Sequence, residues 1–181
     1  PFKVVSSDAF AKEKLRTMEA FGADLTLVPS EGGVITPDLI PRMIEVARGL
    51  AAQPNTFWTD QFRNADSVKG YEQIGNELLV QLNTRIDAFC GGVGTAGMLM
   101  GVAHALKGET SQTRIVALEP ASSPMLTTGT PGRHHVEGIG TGFVPPLLDP
   151  AFYDEARTVD EAEARDMARR LAREEGIFAG V

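Results

Sequence analysis

The sequence predicts an α/β fold in three layers, a mostly parallel sheet with helices on both faces. Three observations carry that expectation. Short apolar runs that read as strands alternate with segments of helical periodicity along almost the whole chain. Strands separated by helices need crossover connections, which make neighbouring strands parallel and cover the sheet on both sides. Finally, Asp87-Ala88-Phe89-Cys90-Gly91-Gly92-Val93-Gly94-Thr95-Ala96-Gly97-Met98 is an apolar run that ends in a glycine cluster and passes at once into a helix.

The elements follow in order. Phe2-Lys3-Val4-Val5 reads as a short strand. Residues 11–21 form a helix with Leu15, Met18 and Phe21 on its apolar face, stopped by Gly22. Residues 24–28 are the next strand and 29–33 a turn. Thr36-Pro37 then opens a helix, with Thr36 as N-cap and Pro37 at the first helical position, where its missing N–H costs nothing. Leu39, Ile40, Met43, Ile44, Val46 and Leu50 lie on that helix. Thr56-Phe57-Trp58 reads as a strand end before a polar loop over residues 59–64. Gly70 and Gly75 discourage a long helix, which places the next one at residues 75–82.

Ala88-Phe89-Cys90 is then a strand, and the glycine cluster leads into a helix over residues 95–106. Residues 114–120 form a strand closed by proline. Residues 122–141 form a long Gly-, Thr- and His-containing loop suited to line a cleft. Arg157-Thr158-Val159 is the last strand. Asp160 caps the final helix with Glu163 three residues on, much as in a capping box, and Gly176 ends it. A mild boundary falls at residues 55–64.

Bulk properties exclude several classes. The 181 residues, 43% hydrophobic and 23% charged, describe an ordinary globular chain. No apolar run approaches the roughly 20 residues of a membrane helix. Pro1-Phe2-Lys3-Val4-Val5 resembles no signal or transit peptide, and a first residue other than Met points to processing or a fragment. A net charge of −7, with no polybasic cluster, argues against nucleic acid. The single cysteine, Cys90, has no partner for an internal disulfide and is expected to be a buried, inert thiol. A cytoplasmic location is the default expectation.

Strand, glycine turn and helix N-terminus together make an anion site, because absent Cβ atoms let a ligand approach and the first helical amides point at it. The guest expected is a phosphate. Gly92-Val93-Gly94-Thr95-Ala96-Gly97 matches G-x-G-x-x-G, the dinucleotide fingerprint, and Glu119 closes the following strand where a ribose partner would sit. That reading gives a nicotinamide-dependent oxidoreductase. The motif alone is weak, since any phosphate loop needs such glycines. Glu119 also lies 27 residues after Gly92, against the usual offset of about 20, and a solvated strand end explains it equally well.

Several separated stretches resemble the cysteine synthase and cystathionine β-synthase family, fold-type II enzymes that use pyridoxal phosphate. Ala11-Lys12-Glu13-Lys14 with Gly22-Ala23-Asp24-Leu25 resembles that family's S-x-E-R helix followed by G-A-E-L. Gln61-Phe62-Arg63-Asn64 matches its Q-F-x-N, and Gly92-Val93-Gly94-Thr95-Ala96-Gly97-Met98 resembles its G-[VI]-G-T-G-G-T. Glu119-Pro120 matches an E-P strand end. Gly138-Ile139-Gly140-Thr141-Gly142-Phe143-Val144-Pro145 is similar to G-I-G-A-G-F-[IV]-P, and Glu175-Gly176-Ile177 to an E-G-I segment.

The resemblance implies that Gly94, Thr95, Ala96, Gly97 and Met98 cradle the cofactor phosphate through backbone N–H groups, helped by the Thr95 hydroxyl. Gly138 and Ile139 would lie beside the cofactor. Gln61, by itself a surface-loop amide, would help hold the substrate carboxylate. Residues 1–60 would be the remainder of a smaller N-terminal domain, and 61–181 the larger phosphate-binding domain. Ala96 and Met98 depart from the family pattern. Backbone donors survive, but Met98 removes a hydroxyl and adds bulk near the phosphate, so weaker binding is expected. The family's cofactor-bonding lysine, in P-x-x-S-x-K, and its S-G-N-T-G-type loop do not occur here, and both would precede Pro1. Its pyridine-contacting serine would follow Val181. Lys3, Lys12, Lys14, Lys69 and Lys107 read as solvated or snorkelling side chains. The chain is therefore expected to be a fragment, inactive as it stands.

The implied reaction is β-replacement on serine or an activated serine, cysteine synthase-like, in a homodimer that binds neither nucleic acid nor membrane. β-Elimination or deamination is the runner-up within that chemistry. A nicotinamide enzyme and a non-catalytic relative that binds a metabolite or a partner enzyme are the other classes. His134-His135 reads as loop residues near a cleft, because adjacent residues rarely converge on one ion. His104 reads as packed or solvated. Catalytic residues and metal ligands are not expected within this stretch.

Overall fold

The computed structural model describes residues 1–109 and 112–180. Its elements run β1 (Lys3–Ser7), α1 (Lys12–Ala20), β2 (Asp24–Val28), α2 (Leu39–Ala51), α3 (Ala65–Leu82), β3 (Ala88–Gly92), α4 (Gly97–Glu109), β4 (Arg114–Pro120), α5 (Met125–Thr128), β5 (Glu155–Val159) and α6 (Glu161–Glu174). The strands form two parallel sheets, β1-β2 and β3-β4-β5. Lys3 pairs with Asp24, Ala88 with Arg114 and Val116 with Glu155. Each pairing spans a helix or a long connection, as parallel neighbours require.

The larger core lies between α4 and the β3-β4-β5 sheet. Leu99, Met100, Val102, Ala103 and Leu106 of α4 pack with Ile115 and Ala117 of β4 and Val68 of α3. A smaller core gathers Val28, Ile35 and Leu39. The two halves are joined through the chain around residue 134. Ile35 and His134 form an antiparallel bridge, Arg133 pairs with Glu31 at 2.6 Å, and Glu137 accepts the Ala11 N–H at 2.7 Å and pairs with Lys14 at 2.5 Å.

The structure corrects several expectations. The helix expected over residues 75–82 begins at Ala65. Its glycine marks a helix crossing: a Cβ on Gly75 would lie 2.5 Å from the Ala105 Cβ, and one on Gly101 would lie 2.4 Å from the Val68 carbonyl oxygen. Close approach of α3 and α4 thus offsets a helix penalty of about 1 kcal/mol per glycine. Asn64 caps α3, its side chain accepting the Asp66 N–H at 2.9 Å. Thr36 is no N-cap; its carbonyl accepts the Leu39 N–H at 3.1 Å in a turn, and Asp38 occupies the cap position. Thr56, Phe57 and Trp58 form no strand.

α4 opens at Gly97 rather than Thr95, and β5 starts at Glu155, ahead of Arg157. Cys90 is exposed, not buried. β3 is the outer strand of its sheet, and Gly91 faces Leu99 and Met98 of α4. Strand alternation therefore turns Cys90 to the opposite face. The last helix forms as expected, with the Asp160 carboxylate accepting from Ala162 at 2.8 Å and Glu163 at 3.2 Å. Among the described residues no helix is long and apolar enough to cross a membrane.

Candidate functional site

The site is built where β3 ends. The Val93 N–H bonds the Leu118 carbonyl at 2.9 Å, extending the ladder by one residue before the chain turns. Residues 94–96 make the turn, and Ala96, only 3% exposed, takes a φ of 69°. The Met100 N–H bonds the Ala96 carbonyl at 2.9 Å. The amides ahead of it are those a helix leaves without an intrahelical acceptor, and they carry the positive end of the helix dipole. The Thr95 hydroxyl lies 3.4 Å from the Gly97 nitrogen, in the same turn.

Gly138 and Ile139 come directly against this turn. A Cβ on Gly94 would lie 2.1 Å from the Gly138 carbonyl oxygen, and one on Gly92 would lie 2.9 Å from an Ile139 methyl. The Gly140 N–H bonds the Val93 carbonyl at 3.1 Å. So Gly94, Thr95, Ala96, Gly97, Met98, Gly138 and Ile139, chosen from sequence, meet in one place. Met98 does not crowd it as expected. Its terminal methyl lies 3.1 Å from where a Gly91 Cβ would be, so the bulk folds back onto β3.

Gln61 is exposed in the turn that precedes α3. Asp60, at a φ of 39°, accepts the Arg63 and Asn64 N–H groups at 2.9 and 3.0 Å. Phe62 packs on Phe143 with ring centroids 5.3 Å apart. Ser67, in the first turns of α3, places its hydroxyl oxygen 3.0 Å from the Cβ position of Gly97. The start of α3 therefore stands beside the glycine turn, with Gln61 four residues ahead of the helix. Ser67 has no sequence signal of its own, because its place depends on how α3 crosses α4.

Two residues prove to be more engaged than the sequence suggests. Glu119 is 3% exposed and is neither a ribose partner nor a solvated end. Its carboxylate accepts the Leu126 and Thr127 N–H groups at 2.6 and 2.9 Å and the Thr127 hydroxyl at 2.8 Å, holding α5. His134 is a loop residue, as expected, but is packed rather than open, at 2% exposed. Its neighbour His135 faces Glu161 instead, and Arg165 on the other side holds the Glu161 carboxyl below its ordinary range. Among the described residues no cluster of three metal-ligating side chains exists. Lys3, Lys14 and Lys107 pair with Asp24, Glu137 and Asp154, while Lys12 and Lys69 are exposed.

A turn with Cβ-free positions and helix-opening amides that lack intrahelical acceptors fits a phosphate group. Residues 1–181 match the family described as pyridoxal-phosphate dependent enzyme, and the chain belongs to that family. It is 38% identical to a cysteine synthase of Staphylococcus aureus over 176 residues, covering 96% of this chain and 55% of the relative. A cysteine synthase of Flavobacterium sp. is 36% identical over 179 residues, covering 98% and 56%. The chain thus spans about half the length of the curated relatives it matches.

Among solved structures it is similar to O-ureido-L-serine synthase, with a TM-score of 0.86 and 35% identity, covering 99% of this chain and 56% of that one. It is also similar to an O-acetylserine-dependent cystathionine β-synthase from Helicobacter pylori, with a TM-score of 0.83, 31% identity and coverage of 98% and 57%. The α/β class is that of fold-type II pyridoxal-phosphate enzymes. Because the family depends on that cofactor, the dinucleotide reading of the glycine motif falls.

Proposed function

We propose that the whole protein catalyses β-replacement on serine or an O-activated serine, as a cysteine synthase-like enzyme. The observation that carries this is the contact of Gly94 with the Gly138 carbonyl, which joins the two glycine segments of the family pattern into one cradle. In this reading the amides of residues 94–98 hold the cofactor phosphate, with the Thr95 hydroxyl beside them. Gly138 and Ile139 flank the cofactor, and Gln61 binds the substrate carboxylate. When bound, pyridoxal phosphate supplies the electron sink for cleavage at the β-carbon. The chain's own contribution is to fix the phosphate, orient the amino acid and exclude water.

The reading includes a small amino-acid substrate, a cytoplasmic homodimer, and a division into a smaller domain over residues 1–60 and a larger one over 61–181. It also holds that these 181 residues alone do not turn over, since none of their lysines is buried at the turn. The test is direct. The whole protein, incubated with pyridoxal phosphate, is expected to show a visible absorption band and to form cysteine from O-acetylserine and sulfide. Gly94→Ala is expected to weaken cofactor binding at least tenfold, because its Cβ cannot coexist with the Gly138 carbonyl. A wild-type protein with no visible band would sink the assignment. Cofactor binding with elimination but no thiol addition would move it to the lyase alternative.

A further inference from the structure

We propose that His134 is the positioning residue of the 138–140 segment, holding it against the phosphate turn as a neutral imidazole protonated on Nε2. The proposal rests on the pyridoxal-phosphate reading above. Nε2 lies 2.7 Å from the Gly140 carbonyl oxygen, which only accepts. Nδ1 lies 3.3 Å from the Val136 amide nitrogen, which only donates. One tautomer satisfies both partners, with the proton on Nε2 and a lone pair on Nδ1.

The ring itself cannot drift. Main-chain bonds tie His134 to Ile35 in both directions, at 3.0 and 3.2 Å, and the residue is 2% exposed. Gly140 is pressed against it: a Cβ there would lie 2.7 Å from Nε2 and 3.1 Å from the Pro120 ring. On its other side the Gly140 N–H bonds Val93, and the Gly138 carbonyl abuts Gly94. The segment is therefore clamped between an imidazole and the phosphate turn. Its distance from the turn is set by the ring, not by the glycines, which have no preference of their own.

Three variants of the whole protein test this. His134→Gln keeps a donor near the Nε2 position, His134→Asn keeps only an acceptor near Nδ1, and His134→Phe keeps the volume alone. The Asn and Phe variants are expected to bind pyridoxal phosphate roughly tenfold more weakly, the effect of one lost buried hydrogen bond. They should also shift the phosphorus resonance of the bound cofactor and speed hydrogen exchange at the Gly140 amide. The Gln variant should stay within about threefold of wild type. A Gln variant as impaired as Phe, or an Asn variant that binds normally with an unshifted resonance, would overturn the proposal. Nitrogen NMR of the cofactor-free protein gives an independent reading. Protonation on Nδ1 would refute it, even if pyridoxal phosphate itself proved not to be the ligand.

Discussion

Ala96 occupies a backbone conformation that costs an L-residue about 1–2 kcal/mol, at a φ of 69° inside the glycine turn. Replacing it with glycine removes that strain. It also removes a buried methyl worth about 0.8 kcal/mol and frees the unfolded chain by about 0.4–1 kcal/mol. These contributions nearly cancel, so Ala96→Gly should change stability by less than about 0.5 kcal/mol in urea unfolding. Ala103, buried in the middle of α4, has no such strain to relieve. Ala103→Gly should cost about 2 kcal/mol. Equal losses at the two positions would show that residue 96 is unstrained.

At this scale the sequence speaks where one residue type has one physical use. The glycines of the turn were legible as places of close approach, and the structure puts the Gly138 carbonyl against Gly94 and Ile139 against Gly92. Glu119 and His134 were not, because their meaning lies in partners: amides seven and eight residues along for one, and for the other a carbonyl on a loop bridged to Ile35. Cys90 is exposed against expectation, because an apolar run does not say which of its alternate residues faces a helix.

Among the elements, the cap of the last helix was legible, whereas the starts of α2, α3 and α4 were not. Asp160 was recognisable as a cap, and its two amide contacts predict that Asp160→Ala loses about 1 kcal/mol of stability in chemical denaturation. α3 is longer than its sequence suggests, because a glycine looks like a helix breaker until the neighbouring helix that needs it is known. Overfilling that crossing with Gly101→Ala should cost about 1–3 kcal/mol, since the new methyl would meet the Val68 carbonyl.

Asp154 ties α4 to the sheet. Its carboxylate accepts the Ile115 N–H at 2.7 Å and pairs with Lys107 at 2.8 Å. The Ile115 amide, then the Lys107 ammonium, lowers its pKa below the ordinary 3.8. A carboxyl depressed in the folded state binds fewer protons there than when unfolded. The stability it adds is therefore complete above pH 3.8 and is lost as pH falls through its lower native value. Acid titration of unfolding free energy should show a shallower decline below about pH 4 for Asp154→Asn than for wild type. Identical slopes would remove the group from the acid response.

Over the whole molecule, the alternation of helix and strand was enough to give parallel sheets, and it could not say how the two sheets are joined. That junction runs through residues 133–137, whose partners Glu31, Ile35, Ala11 and Lys14 all lie in the first 35 positions. Glu137→Ala removes both an amide acceptor for α1 and an ion pair, and should lower stability by about 1 kcal/mol. Glu137→Gln keeps an oxygen for the Ala11 N–H, so it should lose less than about 0.5 kcal/mol. Both values are accessible from urea titrations, and a Gln variant as unstable as Ala would assign the effect to charge instead.

The Gly75 crossing reaches beyond stability. α3 carries Gln61 ahead of its first turn, α4 carries the glycine turn, and the two helices touch backbone to side chain well down their lengths. They behave like the blades of a pair of scissors whose rivet is a missing methyl. The spacing between those two helix ends is then decided at the rivet, far along both helices from the glycine turn. An engineer seeking to widen the space between those ends would do better to regrind that pivot than to reshape the mouth.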